Sequence, residues 1–384
     1  MTALSLEQIA FEPMAVWDRL HAEGGVAHTT DGWLIGTYDL VKAGLNERAL
    51  TTAGALAAPF STEETRGSAY KAFARFWSNA MVMQEGDRHA VLREALHAGA
   101  RRINDPHFRE AAQQKIASLI AGLPPNGAFD LVEKLAKPAP IEVIAELLGM
   151  PVHDLLTHSR QAETLSMFMA GDESAAVRSG VLEATEQLWT LFASTEPKKG
   201  GLIDELRKSD LRPNQIVAQS ILIFLAGHQT LRDAICSLVI CLSDATEYQS
   251  ALRNRSIDPA RVIEETLRLE SPVQVAARTA QRDLRLGSAE IRASDRVLLC
   301  IGAANRDPQR YFAPAEFRAD EPRPASIVFG SGPHTCWGTA LAQLELRLVT
   351  QMLFERGRVT LAAPPVRERS LVFRKISQLE VQID

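Results

Sequence analysis

Aromatic residues make up only 6% of the 384 residues, and that scarcity, beside many Ala and Leu, argues for helices over sheets. Only four cysteines occur, at 236, 241, 300 and 336, with neither a metal-type spacing nor a disulfide framework. Long apolar runs are missing too. The longest, Ile221 to Gly227, is far too short to span a bilayer, so no membrane association is expected. The first twenty residues carry Glu7, Glu12 and Asp18 and lack the basic start and apolar core of a signal peptide, so the chain reads as cytoplasmic. A formal net charge of -5 gives no basis for nucleic-acid binding. No linker, repeat or low-complexity segment divides the chain, which therefore reads as one large domain spanning 1–384. Hydrophobic content of 46% is ample for its core.

What is present centres on the stretch from Phe329 to Glu345. Gly330, Gly332 and Gly338 permit positive φ and close backbone approach, and Pro333 stiffens the run between them. Cys336 sits where this loop turns into a helix, since Leu341, Leu344, Leu348 and Met352 recur at steps of three and four. A sulfur at the positive end of a helix favours the thiolate, and the free amides of the first turn are placed to donate to it. Taken alone, the stretch also fits a buried structural cysteine.

Upstream, His89 and Arg93 are four apart and share a helical face. Arg101 and Arg102 follow near the same helix. The longest helical pattern runs from Pro213 to about Leu242, with Ala226-Gly227-His228-Gln229-Thr230 in its middle. A glycine there costs roughly 1 kcal/mol relative to alanine, so something should compensate. His228 reads as a helix-surface or pocket-wall residue. Glu265 and Arg268 lie three apart on another helix that Ser271-Pro272 ends. Strand-like text covers Gly32 to Tyr38 and continues after Pro272 through Arg278 and Val297 to Ile301. Phe60, Phe73, Phe76, Trp77, Met81 and Met83 form one apolar concentration, Met167-Phe168-Met169 a second and Leu371-Val372-Phe373 a third. Each fits either pocket lining or core.

The loop resembles the cysteine-ligand loop of the cytochrome P-450 family, Phe-Gly-x-Gly-x-His-x-Cys-x-Gly, at every fixed position. His89/Arg93, Gly227/Thr230 and Glu265/Arg268 match three more motifs in the family order. The resemblance implies a mainly α fold with a small β region that holds heme b, iron protoporphyrin IX. It makes Cys336 the axial iron ligand in the Phe329–Gly330 loop, and His89, Arg93, Arg278 and His334 the anchors of the heme propionates. Gly227 and Thr230 would line the oxygen site. Gln229 departs from the pattern, standing where the family has a proton-relay acid, and an amide cannot supply a proton near neutral pH.

Glu265 and Arg268 would brace the cysteine loop. Glu316 occupies the place of the arginine that usually completes the brace, leaving Arg318 or Arg323 to substitute. Arg93, Arg101 and Arg102 could offer a basic patch to an acidic electron donor. The implied reaction inserts one oxygen atom into a small or medium organic molecule, free or attached to a carrier protein, as a tailoring step on a bacterial secondary metabolite. Electrons would come from NAD(P)H through a ferredoxin reductase and a ferredoxin, since the chain carries no flavin or iron-sulfur domain. A peroxide-driven or non-hydroxylating heme-thiolate enzyme is the alternative, and a heme sensor without turnover a third.

Overall fold

The computed structural model describes residues 4–52, 67–172 and 174–384. Phe60 lies outside them.

The longest helix, Pro213–Asp244, runs 32 residues without a break, about 48 Å at 1.5 Å per residue. Pro213 sits in its first turn, where a missing N–H costs nothing. Helices Ser68–Asn79, Pro138–Leu148, Ser159–Met169, Ala175–Ser194, Pro259–Leu269 and Thr339–Arg356 pack around this central helix. Their ends follow the stop signals in the sequence. Gly149, at φ 76°, closes the helix that ends at Leu148, and a break at Gly171-Asp172 separates Ser159–Met169 from Ala175–Ser194. No helix among the described residues is long and apolar enough to cross a membrane.

A five-stranded sheet flanks the helices, with Val26–Thr29, Gly32–Ile35, Arg296–Leu299, Ala276–Ala280 and Leu50–Thr51 in that order across it. Trp33, Leu34 and Ile35 pair in parallel with Val297, Leu298 and Leu299. The strand expected to reach Tyr38 stops at Ile35, because Tyr38 opens the helix Tyr38–Asn46 and gives its N–H to Asp307 Oδ2 at 2.8 Å. Arg278 lies on the strand Ala276–Ala280, opposite Val297, and is buried.

Candidate functional site

The loop around Cys336 is folded by its glycines and its backbone. Gly330 and Gly332 both adopt φ 75°. At Gly332 a Cβ would also stand 2.7 Å from Leu45 O, so no other residue fits there. Ile327 O accepts from Gly330 N at 2.8 Å, and Phe329 O from Cys336 N at 2.8 Å. Gly338 differs from the expectation: its φ is -79°, which any residue adopts, and a Cβ there would lie 3.8 Å from Cys336 Sγ. Its bareness leaves room at the sulfur.

The helix after the cysteine spans Thr339–Arg356. Its deeply buried face carries Leu341, Glu345, Leu346, Val349 and Leu353, while Leu344, Leu348 and Met352 are only partly buried, so the expected stripe is rotated. Cys336 is the one exposed cysteine. Burial within the surrounding protein pushes the Cys336 thiol up and outweighs the Gly338 N–H, the Thr339 hydroxyl and the charge of Arg93, which lower it.

A buried ion pair ties this loop to the core. Arg268 Nε and Nη2 donate to Glu265 Oε2 and Oε1 at 2.8 and 2.9 Å. Arg268 also donates to Asn305 O, Pro314 O and Glu316 O. Asn305 Oδ1 in turn accepts from Ile327 N at 2.9 Å, so the pair reaches the Gly330 turn through two hydrogen bonds. Arg323 is the third member, with Nε 3.1 Å from Glu265 Oε1. Arg318 contributes only its backbone N–H there, at 3.0 Å, and its guanidinium pairs with Glu316 and Glu321.

The four expected anchor bases gather next to the loop. His89 and His334 stand with ring centroids 4.4 Å apart, and Arg93 Nη1 donates to Thr335 O at 2.9 Å. His334 Nε2 lies 3.0 Å from Glu85 Oε2, and Glu85 is also the charge that opposes the burial-lowered pKa of Arg278. Sequence spacing had not marked Glu85. Its one signal was a carboxylate four residues before His89. Burial, then the neighbouring His334 and Arg93, lower the pKa of His89. His89 Nε2 is buried with no partner, and the one acceptor of Arg278 is Ala277 O at 2.8 Å. Buried donors left in that state fit the carboxylates of an acidic ligand.

The central helix shows where such a ligand has room. From Ala218 to Val239 every residue is buried except Ala226, Gly227 and Thr230. Ala226 and Thr230 are one turn apart, so they form a single accessible stripe on an otherwise enclosed helix. Thr230 Oγ1 donates to Ala226 O at 2.7 Å. A Cβ on Gly227 would lie 2.7 Å from Ile144 Cδ1, so the glycine is offset by close packing of a neighbouring helix. Gln229 sits about 60° round the helix from Ala226 and about 100° from Thr230. No hydrogen bond joins Gln229 to Thr230. The amide is fully buried without partners, at the edge of a cavity of about 330 Å³ that Met167, Leu371, Phe373 and Lys375 also line.

Other expectations sort into core and surface. Phe73, Phe76, Met81, Met83 and Phe168 are buried core, with Phe73 in edge contact with Phe168 at 5.6 Å. His228 is core rather than surface: Nδ1 donates to Phe224 O at 2.8 Å, and burial pulls its pKa down to about 4. Arg102 is tied to Glu146 at 3.1 Å and to Gly200 O, so it does not serve the expected basic patch. Cys300 is buried and pushed up to about 12.

A mostly helical fold that presents one sulfur beside buried bases and an accessible stripe on its central helix has the architecture of a heme-thiolate protein. A sequence profile described as cytochrome P450 matches residues 260–381. The chain is 30% identical over 370 residues to cytochrome P450 monooxygenase PikC of Streptomyces venezuelae, covering 91% of this chain and 85% of PikC. It is 27% identical over 328 residues to beta-dihydromenaquinone-9 omega-hydroxylase of Mycobacterium tuberculosis, covering 81% of this chain and 66%, just under two thirds, of that protein. The solved structure of the tirandamycin C-bound P450 monooxygenase TamI aligns over 100% of both chains at 27% identity, with a TM-score of 0.83. The chain belongs to the cytochrome P450 family, whose members are oxidoreductases that bind heme b.

Proposed function

We propose that the chain is a cytoplasmic, single-domain heme-thiolate monooxygenase that inserts one oxygen atom from O2 into a small or medium organic substrate, in the tailoring of a bacterial secondary metabolite. The observation that carries this reading is the combination of one exposed sulfur at a tight glycine turn with a central helix that, between Ala218 and Val239, is accessible only at Ala226, Gly227 and Thr230. Bound heme supplies the activation of oxygen, helped by a thiolate that passes electron density to the iron. Cys336 would hold the iron, and metal binding would remove the proton that burial otherwise keeps on the thiol. The Gly338 N–H, by donating to the sulfur, would temper its donation.

His89, Arg93, Arg278 and His334 would receive the propionates, and Phe329 and Gly330 would form the turn beside the cofactor. Thr230 orders water along the accessible stripe. The brace at Glu265, Arg268 and Arg323 keeps the cysteine turn from shifting under the metal. Electrons come from NAD(P)H through a ferredoxin reductase and a ferredoxin. A cleft of about 890 Å³ beside Phe329 and Leu344 carries Arg109 and Arg261, which form no ion pair among the described residues, and these give an acidic donor a complementary surface.

The test is the absorption spectrum of the reduced protein under carbon monoxide. A strongly red-shifted Soret band is expected, and a band typical of histidine ligation, or no heme, would overturn the reading. Gln229 favours a second route, in which peroxide supplies oxygen and electrons together, because no carboxylic acid occupies the relay position. Turnover with ferredoxin partners but none with peroxide would exclude it. In that case Gln229→Glu should raise coupled product formation, and unchanged or lower coupling would show that proton delivery at this position is not limiting.

A further inference from the structure

Glu85 joins three segments that meet at the cofactor site. It immediately precedes Gly86, the first residue of the helix that carries His89 and Arg93. Its Oε1 accepts from Thr52 N at 2.9 Å and lies 3.2 Å from Thr52 Oγ1, whose own hydrogen has a closer acceptor in Val82 O at 2.6 Å. Its Oε2 accepts from His334 Nε2 at 3.0 Å. Burial raises the Glu85 carboxyl, but the hydrogen bonds from His334 and Thr52 outweigh it and hold it down at about 2. The group is therefore an anion with both oxygens engaged, anchored on one side and holding an imidazole on the other.

An imidazole on a loop has two nitrogens and a freely turning ring. A fixed carboxylate on one nitrogen settles which nitrogen is left for the pocket and limits how far the ring swings. His334 is held in this way beside His89, at 52° between ring planes, and the next residue, Thr335, is held by Arg93. The loop that presents Cys336 is thus held at two successive residues, 334 and 335.

We propose that Glu85 is a positioning residue of the cofactor site: it holds His334 through Nε2 and fixes the ring beside His89, where the acidic groups of the cofactor would be received. This inference rests on the heme-thiolate reading above. It is tested by the rate at which heme leaves the holoprotein for an excess of apomyoglobin. Glu85→Ala should speed heme loss about tenfold, the lower end of what outer-shell partners of a metal site contribute, and Glu85→Gln, which keeps an oxygen for Nε2, should stay within about threefold.

The decisive measurement repeats Glu85→Ala in a His334→Phe background. There it should add less than about twofold, because the ring it positions is gone. A full additional tenfold, or no effect of Glu85→Ala on the natural background, overturns the proposal, since Glu85 would then support the fold alone or nothing. If Glu85→Ala fails to load heme, Glu85→Leu, which fills the space without an acceptor for Nε2, runs the same cycle with the same expected outcomes. A wild type with the red-shifted carbon monoxide band but uncoupled variants overturns this inference and leaves the heme-thiolate reading standing. A wild type without that band overturns both.

Discussion

Two buried polar clusters flank the site, and they are finished to different degrees. Around Arg268, every guanidinium nitrogen donates and both Glu265 oxygens accept. Around Gln229, His228 Nε2, both amide atoms of Gln229, Arg232 Nη2 and Asp233 Oδ2 are buried without partners. The glycines repeat the contrast. Gly332 faces backbone oxygen and has no space to give, whereas Gly227 faces the end of an isoleucine side chain that can move. The Arg268 pair leaves no guanidinium nitrogen or carboxylate oxygen unused, although near it Arg323 Nε, Trp337 Nε1 and both Glu345 oxygens are buried without hydrogen-bond partners. The oxygen side keeps unused hydrogen-bonding capacity next to a cavity, which is where water finds the several polar partners it needs.

Removing a member of the finished cluster should have the largest effect. Arg268→Ala leaves Glu265 buried with one cation fewer and three carbonyls without their donor, and should cost about 3–5 kcal/mol in urea unfolding, with loss of retained heme. A cost near zero would mean that the cluster is not a brace. The unfinished cluster should instead show itself through pH. Burial raises Asp233 to about 6 and lowers His228 to about 4.

The folded value of Asp233 lies above its unfolded one, so its contribution is full below about pH 4 and is lost as pH rises to about 6. His228 is the reverse, with a contribution full above about pH 6.5 and lost as pH falls to about 4. The two slopes oppose each other in one window. Asp233→Asn removes the first, so between about pH 6.5 and 4 the variant should lose about 3 kcal/mol more than the wild type, read from urea midpoints. Equal slopes would show that Asp233 is not held protonated.

Smaller effects separate the two glycines. Gly332→Ala forces a side chain into a left-handed conformation against Leu45 O and should cost about 1–3 kcal/mol. Gly227→Ala gains about 1 kcal/mol of helix propensity and loses a similar amount to crowding at Ile144, for a net change within about 1 kcal/mol. Ile144→Val should relieve the crowding. Equal costs for the two glycine variants would erase the contrast.

What could be read from sequence was local. The Cys336 turn, the Glu265/Arg268 pair and the central helix each depend on residues a few positions apart, and glycine, proline and helical spacing declare them directly. Arg318 and Arg323 were indistinguishable because both follow Pro314, and only the folding of that segment puts the Arg323 guanidinium on Glu265. Arg102 looked free because Glu146 is 44 residues away. Glu85 was silent because its partner, His334, lies 249 residues on, and no periodicity links the two. Gly338 was misread in a different way: a glycine in a glycine-rich loop suggested positive φ, while its use is the space it leaves at the sulfur.

The sheet sets a schedule for making the protein. The Trp33 indole donates to Asp295 at 3.0 Å across 262 residues, and the strand beside it pairs in parallel with Arg296–Leu299. At 5–20 residues per second, a ribosome needs roughly 13 to 52 seconds to deliver that partner after Trp33 has been made. Until then the hairpin Val26–Ile35 has an open edge, which other chains can pair with. The strand that carries Arg278 and the turn that presents Cys336 emerge only late in that interval or after it. The nascent chain must therefore keep an aggregation-prone edge waiting while the half of the molecule that presents the sulfur is still unmade.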